Sequence, residues 1–350
     1  MVRDAVPLGE CGRALVVKLR HHGDVLLAAP VLAALKAHAP ALEVDALVYD
    51  DSADMLAGHP ALAQLHTVGR RWKEDGPLSR LSRENELFRK LKSRSYDLIV
   101  HLSEQPRGAW LARTLGARYS VAPAMPERGA FWRGSFTHFY PIARRRHQVE
   151  VNLDALRRIG LQPRAEDKKV IFVPGVEAQK KAATLAGNDP FVHLHAASRW
   201  RFKCLTVEQN AALVDRLAEI GLRVVLTAAP DAAETLFIDE IVKRCRAKPL
   251  NVAGQLSIRE LAALSARARL FVGVDSMPMH LACAMGTPVV ALFGPSGEAE
   301  WGPWSVPHRV VTSAHSCRPC GLDGCGGGKV SECLTTLPVD AIFAAAREFL

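Results

Sequence analysis

Four short segments of this 350-residue chain place carboxylates, cations and hydroxyls directly after apolar runs. The first is Lys18-Leu-Arg20-His-His22-Gly23-Asp24-Val25. A carboxylate beside a glycine, with cations on the same loop, suits a general base that takes a proton from an attacking hydroxyl; an Asp before an apolar helix is also an ordinary N-cap. The second is Val272-Gly-Val-Asp275-Ser276-Met277-Pro278-Met-His280, where a strand ends and a helix begins. A helix start offers N–H groups and a positive dipole end to an anion such as a diphosphate, while Asp275 could bind ribose hydroxyls or only cap. The third, His195-Ala-Ala-Ser198-Arg-Trp-Arg-Phe-Lys203, offers a hydroxyl and a mobile ammonium to a phosphate, or is a surface loop with snorkelling cations. The fourth, Leu226-Thr-Ala-Ala-Pro-Asp231-Ala-Ala-Glu234, presents carboxylates to a ribose or merely caps the next helix.

The elements that must hold these loops read as βα units. Strands are expected at Ala14 to Leu19, Val44 to Val48 and Asp97 to Leu102, and again at Phe191 to His195, Arg223 to Thr227, Arg269 to Gly273 and Pro288 to Phe293. Candidate helices such as Ala28 to Ala39 and Arg107 to Leu115 alternate with them. The chain is long enough for two cores, so two doubly wound α/β domains are expected, with Val170 to Val173 opening the second. In such sheets ligands sit beyond the carboxyl ends of the strands, where all four segments fall.

The formal charge of +9 is unevenly spread: residues 1–170 hold 27 Lys and Arg against 19 Asp and Glu. That basic half fits a phosphorylated substrate, an anionic membrane surface or nucleic acid. Four Tyr and no basic stretch interleaved with aromatics argue against nucleic acid. Gly326-Gly-Gly-Lys329-Val-Ser331 misses the phosphate-loop spacing, and no Asp-x-Asp metal clamp stands at a strand end. The longest apolar stretch near the N-terminus, Val25 to Leu35, is interrupted by Pro30 and too short to span a bilayer, and no secretory signal precedes it; a cytoplasmic protein is expected. Eight Cys without an export signal point to reduced thiols. Four of them, Cys317, Cys320, Cys325 and Cys333, form one Gly-rich run that reads as a structural zinc site, an adventitious disulfide or free thiols.

Together these loops resemble the lipopolysaccharide core heptosyltransferases of glycosyltransferase family 9. Gly23-Asp24-Val25 matches the family's Gly-Asp-Val, Asp275 to His280 its Asp-Ser/Thr-x-Pro-x-His, and Ser198 to Cys204 its phosphate loop, in the form of the branch that adds the third heptose. Met277 stands where the family commonly has Gly, and Leu205 where it has an aromatic. The resemblance implies the GT-B architecture, two Rossmann-like domains (1–165 and 166–338) with a cleft between them and a last helix, 339–350, crossing back to the first. It implies inverting transfer of heptose from ADP-heptose to the phosphorylated lipid A core without a metal, at the inner-membrane surface. Asp24 would be the base and Lys203 would assist the leaving diphosphate. Ser198, Lys203, Asp231, Glu234, Asp275, Ser276, Met277 and His280 would hold the donor, and Lys18, Arg20, His22, Arg107 and Arg133 the acceptor. A sugar-nucleotide epimerase would share the fold, but should show carboxylates from both domains around the sugar; a family member with another donor or acceptor is the nearer alternative.

Overall fold

Strands buried on both faces read as unbroken apolar runs, and each half of the chain builds a parallel sheet from six strands. The computed structural model describes residues 4–72, 74 and 76–350. The first sheet comprises β1 (Arg13–Val17), β2 (Glu43–Tyr49), β3 (Gln64–Val68), β4 (Leu98–His101), β5 (Tyr119–Pro123) and β6 (His138–Tyr140). Its order is β3-β2-β1-β4-β5-β6. The second comprises β7 (Phe191–His195), β8 (Arg223–Thr227), β9 (Leu250–Asn251), β10 (Leu270–Val274), β11 (Val289–Phe293) and β12 (His308–Thr312), in the order β12-β11-β10-β7-β8-β9. Read from opposite edges, the two orders are the same. Each sheet therefore reverses its winding once, between β1 and β4 in the first and between β7 and β10 in the second. Ligands of open parallel sheets bind at such a reversal, beyond the strand ends.

The connecting helices are α1 (His22–Leu26), α2 (Ala29–His38), α3 (Pro77–Ser93), α4 (Pro106–Leu115), α5 (Gly129–Arg133) and α6 (Gln148–Arg158) in the first half. In the second they include α7 (Val176–Ala186), α8 (Val207–Glu219), α9 (Ala232–Arg244), α10 (Ile258–Arg267) and α11 (Met277–Ala284). Leu15, Val17, Ile99 and Leu111 share one core in the first unit, and Val192, Leu194, Val272 and Ile342 one in the second.

The chain divides into two compact units, 1–173 and 174–350, so the boundary lies later than the expected 165/166. The reason is local. The short 3-10 turn Glu166–Lys168 packs on α2, and Lys168 pairs with Glu150 of α6 at 2.8 Å. Val170 to Val173 is irregular rather than the expected strand. The last helix, Val339–Arg347, belongs to the second unit: it packs on α8, β11 and β12, and Arg216 of α8 lies over the Phe343 ring. Buried Ile342, Phe343 and Ala346 give it an apolar face that packs into this core. Among the described residues no helix is long and apolar enough to cross a membrane.

Candidate active site

In the first unit the reversal between β1 and β4 collects charge. The polar run after β1 turns into α1 with His21 at the N-cap, so Asp24 lies within the first helical turn instead of capping it. A carboxylate there is favoured by the helix dipole. Its side chain is only 13 % exposed, and Oδ1 lies 3.7 Å from Arg20 Nε. Arg20 in turn reaches Glu104, just beyond β4, at 3.6 Å, and its carbonyl accepts from Arg70 Nη2 at 3.0 Å. A guanidinium thus stands between two carboxylates at the winding reversal.

Lys18, expected at the acceptor, is engaged within the first unit. It is buried, and Nζ donates to Leu102 O at 2.8 Å and Asn152 Oδ1 at 3.0 Å, while Asn152 Nδ2 donates to Leu27 O at 2.9 Å. These bonds tie the ends of β1 and β4 to α6 and the end of α1. Burial depresses the Lys18 pKa to about 8, against the attraction of nearby Asp24. The unfolded chain holds that proton up to about 10.5, so between these values the unfolded state binds more protons and raising pH favours folding. Relative to Lys18→Met, the wild type should gain about 1 to 2 kcal/mol between about pH 8 and pH 9.5, read by urea unfolding at both values. A flat difference would mean that Lys18 is not held in a depressed state.

The second unit repeats the arrangement with other chemistry. Lys203, on the 3-10 turn after β7, donates from Nζ to Asp275 Oδ2 at 2.6 Å, joining the loops beyond β7 and β10. Asp275 is almost fully buried. Ser276 occupies the N-cap of α11, yet its hydroxyl turns back to Val274 O at 3.2 Å, so the helix start has no side-chain cap. Met277 and Pro278 form the first turn, and His280 is buried within it. Ser198 is buried, with Oγ accepting from Trp200 N at 3.3 Å. An ammonium, a hydroxyl and an uncapped helix start together suit a diphosphate.

Other expected ligands are already engaged. Asp231 caps α9, accepting from Ala233 N at 2.9 Å and Glu234 N at 3.1 Å, and Glu234 accepts from Ala229 N at 3.0 Å. The capping alternative therefore describes Asp231, and Glu234 closes the same loop, its pKa raised by burial. Arg107 makes a two-pronged pair with Glu84 of α3, at 2.7 Å from Nη1 to Oε2. Arg133 is exposed at the end of α5, and His22 is half-buried in α1.

In the cysteine run, Cys317, Cys320 and Cys325 are exposed and Cys333 is buried. Burial raises the Cys333 pKa, with smaller contributions from the other three thiols. Among the described residues no group of three or more His, Cys, Asp or Glu is placed to hold a metal ion.

Several site residues lie outside the motif reading. Glu104 follows an apolar strand, and Asn152 interrupts the apolar run of α6, which is the signal that could have marked it. In the second unit Thr227 Oγ1 lies 2.7 Å from both His193 Nε2 and His195 Nδ1, and His193 Nδ1 lies 3.0 Å from Ser265 Oγ. Burial lowers the His195 pKa to about 4, so near neutral pH it is an uncharged hydrogen-bonding group below the Ser198 loop.

Two doubly wound parallel sheets, each with its polar groups at the winding reversal, make the GT-B architecture. Residues 85–330 match glycosyltransferase family 9 (heptosyltransferase), and the chain belongs to that family. It is 33 % identical over 291 residues to lipopolysaccharide heptosyltransferase 3 of Escherichia coli K12, covering 82 % of this chain and 84 % of that one. Among solved structures it resembles a family 9 glycosyl transferase from Veillonella parvula with a TM-score of 0.78 at 22 % identity, covering 88 % of this chain and 87 % of that one. It also resembles the E. coli heptosyltransferase WaaC with ADP, with a TM-score of 0.75 at 19 % identity and coverages of 97 % and 100 %.

Proposed function

We propose that this glycosyltransferase moves heptose from ADP-heptose onto a phosphorylated, lipid-anchored core oligosaccharide with inversion at the anomeric carbon. The observation that carries the reading is the pair of charged sites at equivalent winding reversals: a base-bearing one at Asp24 and an anion-binding one at Lys203 and α11. Resemblance to lipopolysaccharide heptosyltransferase 3 supports the choice of sugar and acceptor. In the step itself the acceptor hydroxyl oxygen bonds to the anomeric carbon as its proton passes to Asp24. The bond from that carbon to the diphosphate oxygen breaks, and ADP keeps the electron pair. General base help is worth roughly 10² to 10⁴ in rate, or about 3 to 5 kcal/mol. Charge developing on ADP meets Lys203, Ser198 and the positive end of α11. Arg20 and the surrounding basic half suit phosphates on the acceptor, and the enzyme works at the cytoplasmic face of the inner membrane.

The test is incubation of the chain with ADP-heptose and core acceptors truncated before each heptose, read by mass spectrometry. Gain of one heptosyl residue on one acceptor supports the reading, and none on any acceptor overturns it. Because cationic side chains and a helix dipole meet the diphosphate, EDTA should leave the initial rate within about twofold. A chelator-sensitive rate restored by a divalent ion would show that a metal carries part of this charge.

A further inference from the structure

Helix α3 carries two apolar faces. Leu87 and Leu91 point into the first unit's core. About a third of a turn round lies a second stripe, Leu78, Leu81 and Phe88, at helical spacings of three and seven. Phe88 meets Trp110 of α4 with ring centroids 5.5 Å apart, and Arg107 of α4 pairs with Glu84 of α3. Three residues beyond Trp110 on α4, Arg113 lies over the Phe131 ring of α5 at 4.9 Å. The three helices thus form one surface from which Leu78, Leu81, Trp110 and Phe131 protrude, each between 49 % and 83 % exposed. Single exposed apolar side chains are ordinary, but a connected set of large ones marks an interaction site.

The charge around this set names the partner. The helices themselves, with Arg128 at the N-cap of α5, hold 9 Lys and Arg against 2 Asp and Glu over residues 77–93, 106–115 and 128–133. Arg80, Arg89 and Arg133 are exposed on the same helices, and Arg128 is exposed at the N-cap of α5. Leu, Trp and Phe ringed by arginine is the composition that seats in the headgroup region of a bilayer, where apolar groups bury shallowly and cations meet anionic lipid. We infer that α3, α4 and α5 form a docking face for an anionic bilayer surface, with Leu78, Leu81, Trp110 and Phe131 inserting between headgroups. The face deepens the proposed function, because a lipid-anchored acceptor is presented at such a surface.

The test uses the full chain without acceptor or donor. It should co-sediment with phosphatidylglycerol/phosphatidylethanolamine vesicles at low salt and remain in the supernatant with phosphatidylcholine. The triple variant Leu78→Ser, Leu81→Ser, Phe131→Ser should lower the partition coefficient at least about tenfold. Its melting temperature and its transfer rate to a lipid-free acceptor should stay close to wild type, since all three side chains are exposed. Wild-type protein that ignores anionic vesicles, a variant that binds them as well as wild type, or displacement of wild type by lipid-free core oligosaccharide each overturns the inference. Loss of heptosyl transfer to the lipid-free acceptor by wild type overturns the proposed function instead, and vesicle binding is read independently of it.

Discussion

Asp24→Asn should lower turnover by at least about 10²-fold while ADP affinity stays within about twofold. Asparagine keeps the size of the side chain and one acceptor oxygen but cannot take a proton, so the loss isolates proton transfer. The substituted residue lies at the end of β1 in the first unit, whereas the proposed diphosphate site is built from the loops beyond β7 and β10 in the second. Steady-state kcat with saturating donor and acceptor, beside calorimetric titration of ADP, separates the two effects. A variant with half of wild-type turnover would place the base elsewhere.

Lys203→Ala should weaken ADP binding by about 10- to 150-fold, equivalent to roughly 1.5 to 3 kcal/mol for a charge-assisted contact to phosphate. The pair with Asp275 complicates the reading in a useful way. Removing the ammonium leaves a buried carboxylate facing the incoming diphosphate, and that repulsion alone would weaken binding. The double variant Lys203→Met, Asp275→Asn removes both charges together. If the double variant binds ADP as wild type does, Lys203 acts by neutralising Asp275; if it stays weak, Lys203 touches the phosphate. Unchanged ADP affinity in Lys203→Ala would move the diphosphate to another site.

Legibility from sequence followed the physics of burial. Central strands such as β7, β8 and β11 are covered on both faces and stand out as apolar runs, so the loops after them could be located within a residue or two. Edge and short strands do not stand out, and neither does interior β5, whose run Tyr119-Ser-Val-Ala-Pro123 contains a serine and ends on a proline. β3 contains Gln64, His66 and Thr67, β6 is three residues long, and β12 opens with exposed His308 and Arg309. Val170 to Val173 has strand-like composition but lies between Lys169 and Pro174, and proline offers no donor to a ladder. The carboxylates were legible as residues and not as partners. Nothing in the spacing of Asp24 tells that Arg20 also reaches Glu104, 84 residues on from the arginine, because that contact exists only once β1 and β4 pair. Asp231 was indistinguishable from a ligand until its two backbone donors were in place.

The sheet orders also bear on how the chain is made. Every strand of the first sheet comes from residues before 141, and the last segment packed on that unit ends at Val173. No hydrogen bond of the first sheet waits for anything synthesised later. The second sheet begins only at Phe191, and its centre, β7 beside β10, joins strands wholly from the later half. A ribosome releasing this polypeptide from its N-terminus therefore delivers one complete set of pairing partners before the next begins, so the order of translation and the order of assembly coincide and the similar parallel strands of the two halves have little opportunity to cross-pair.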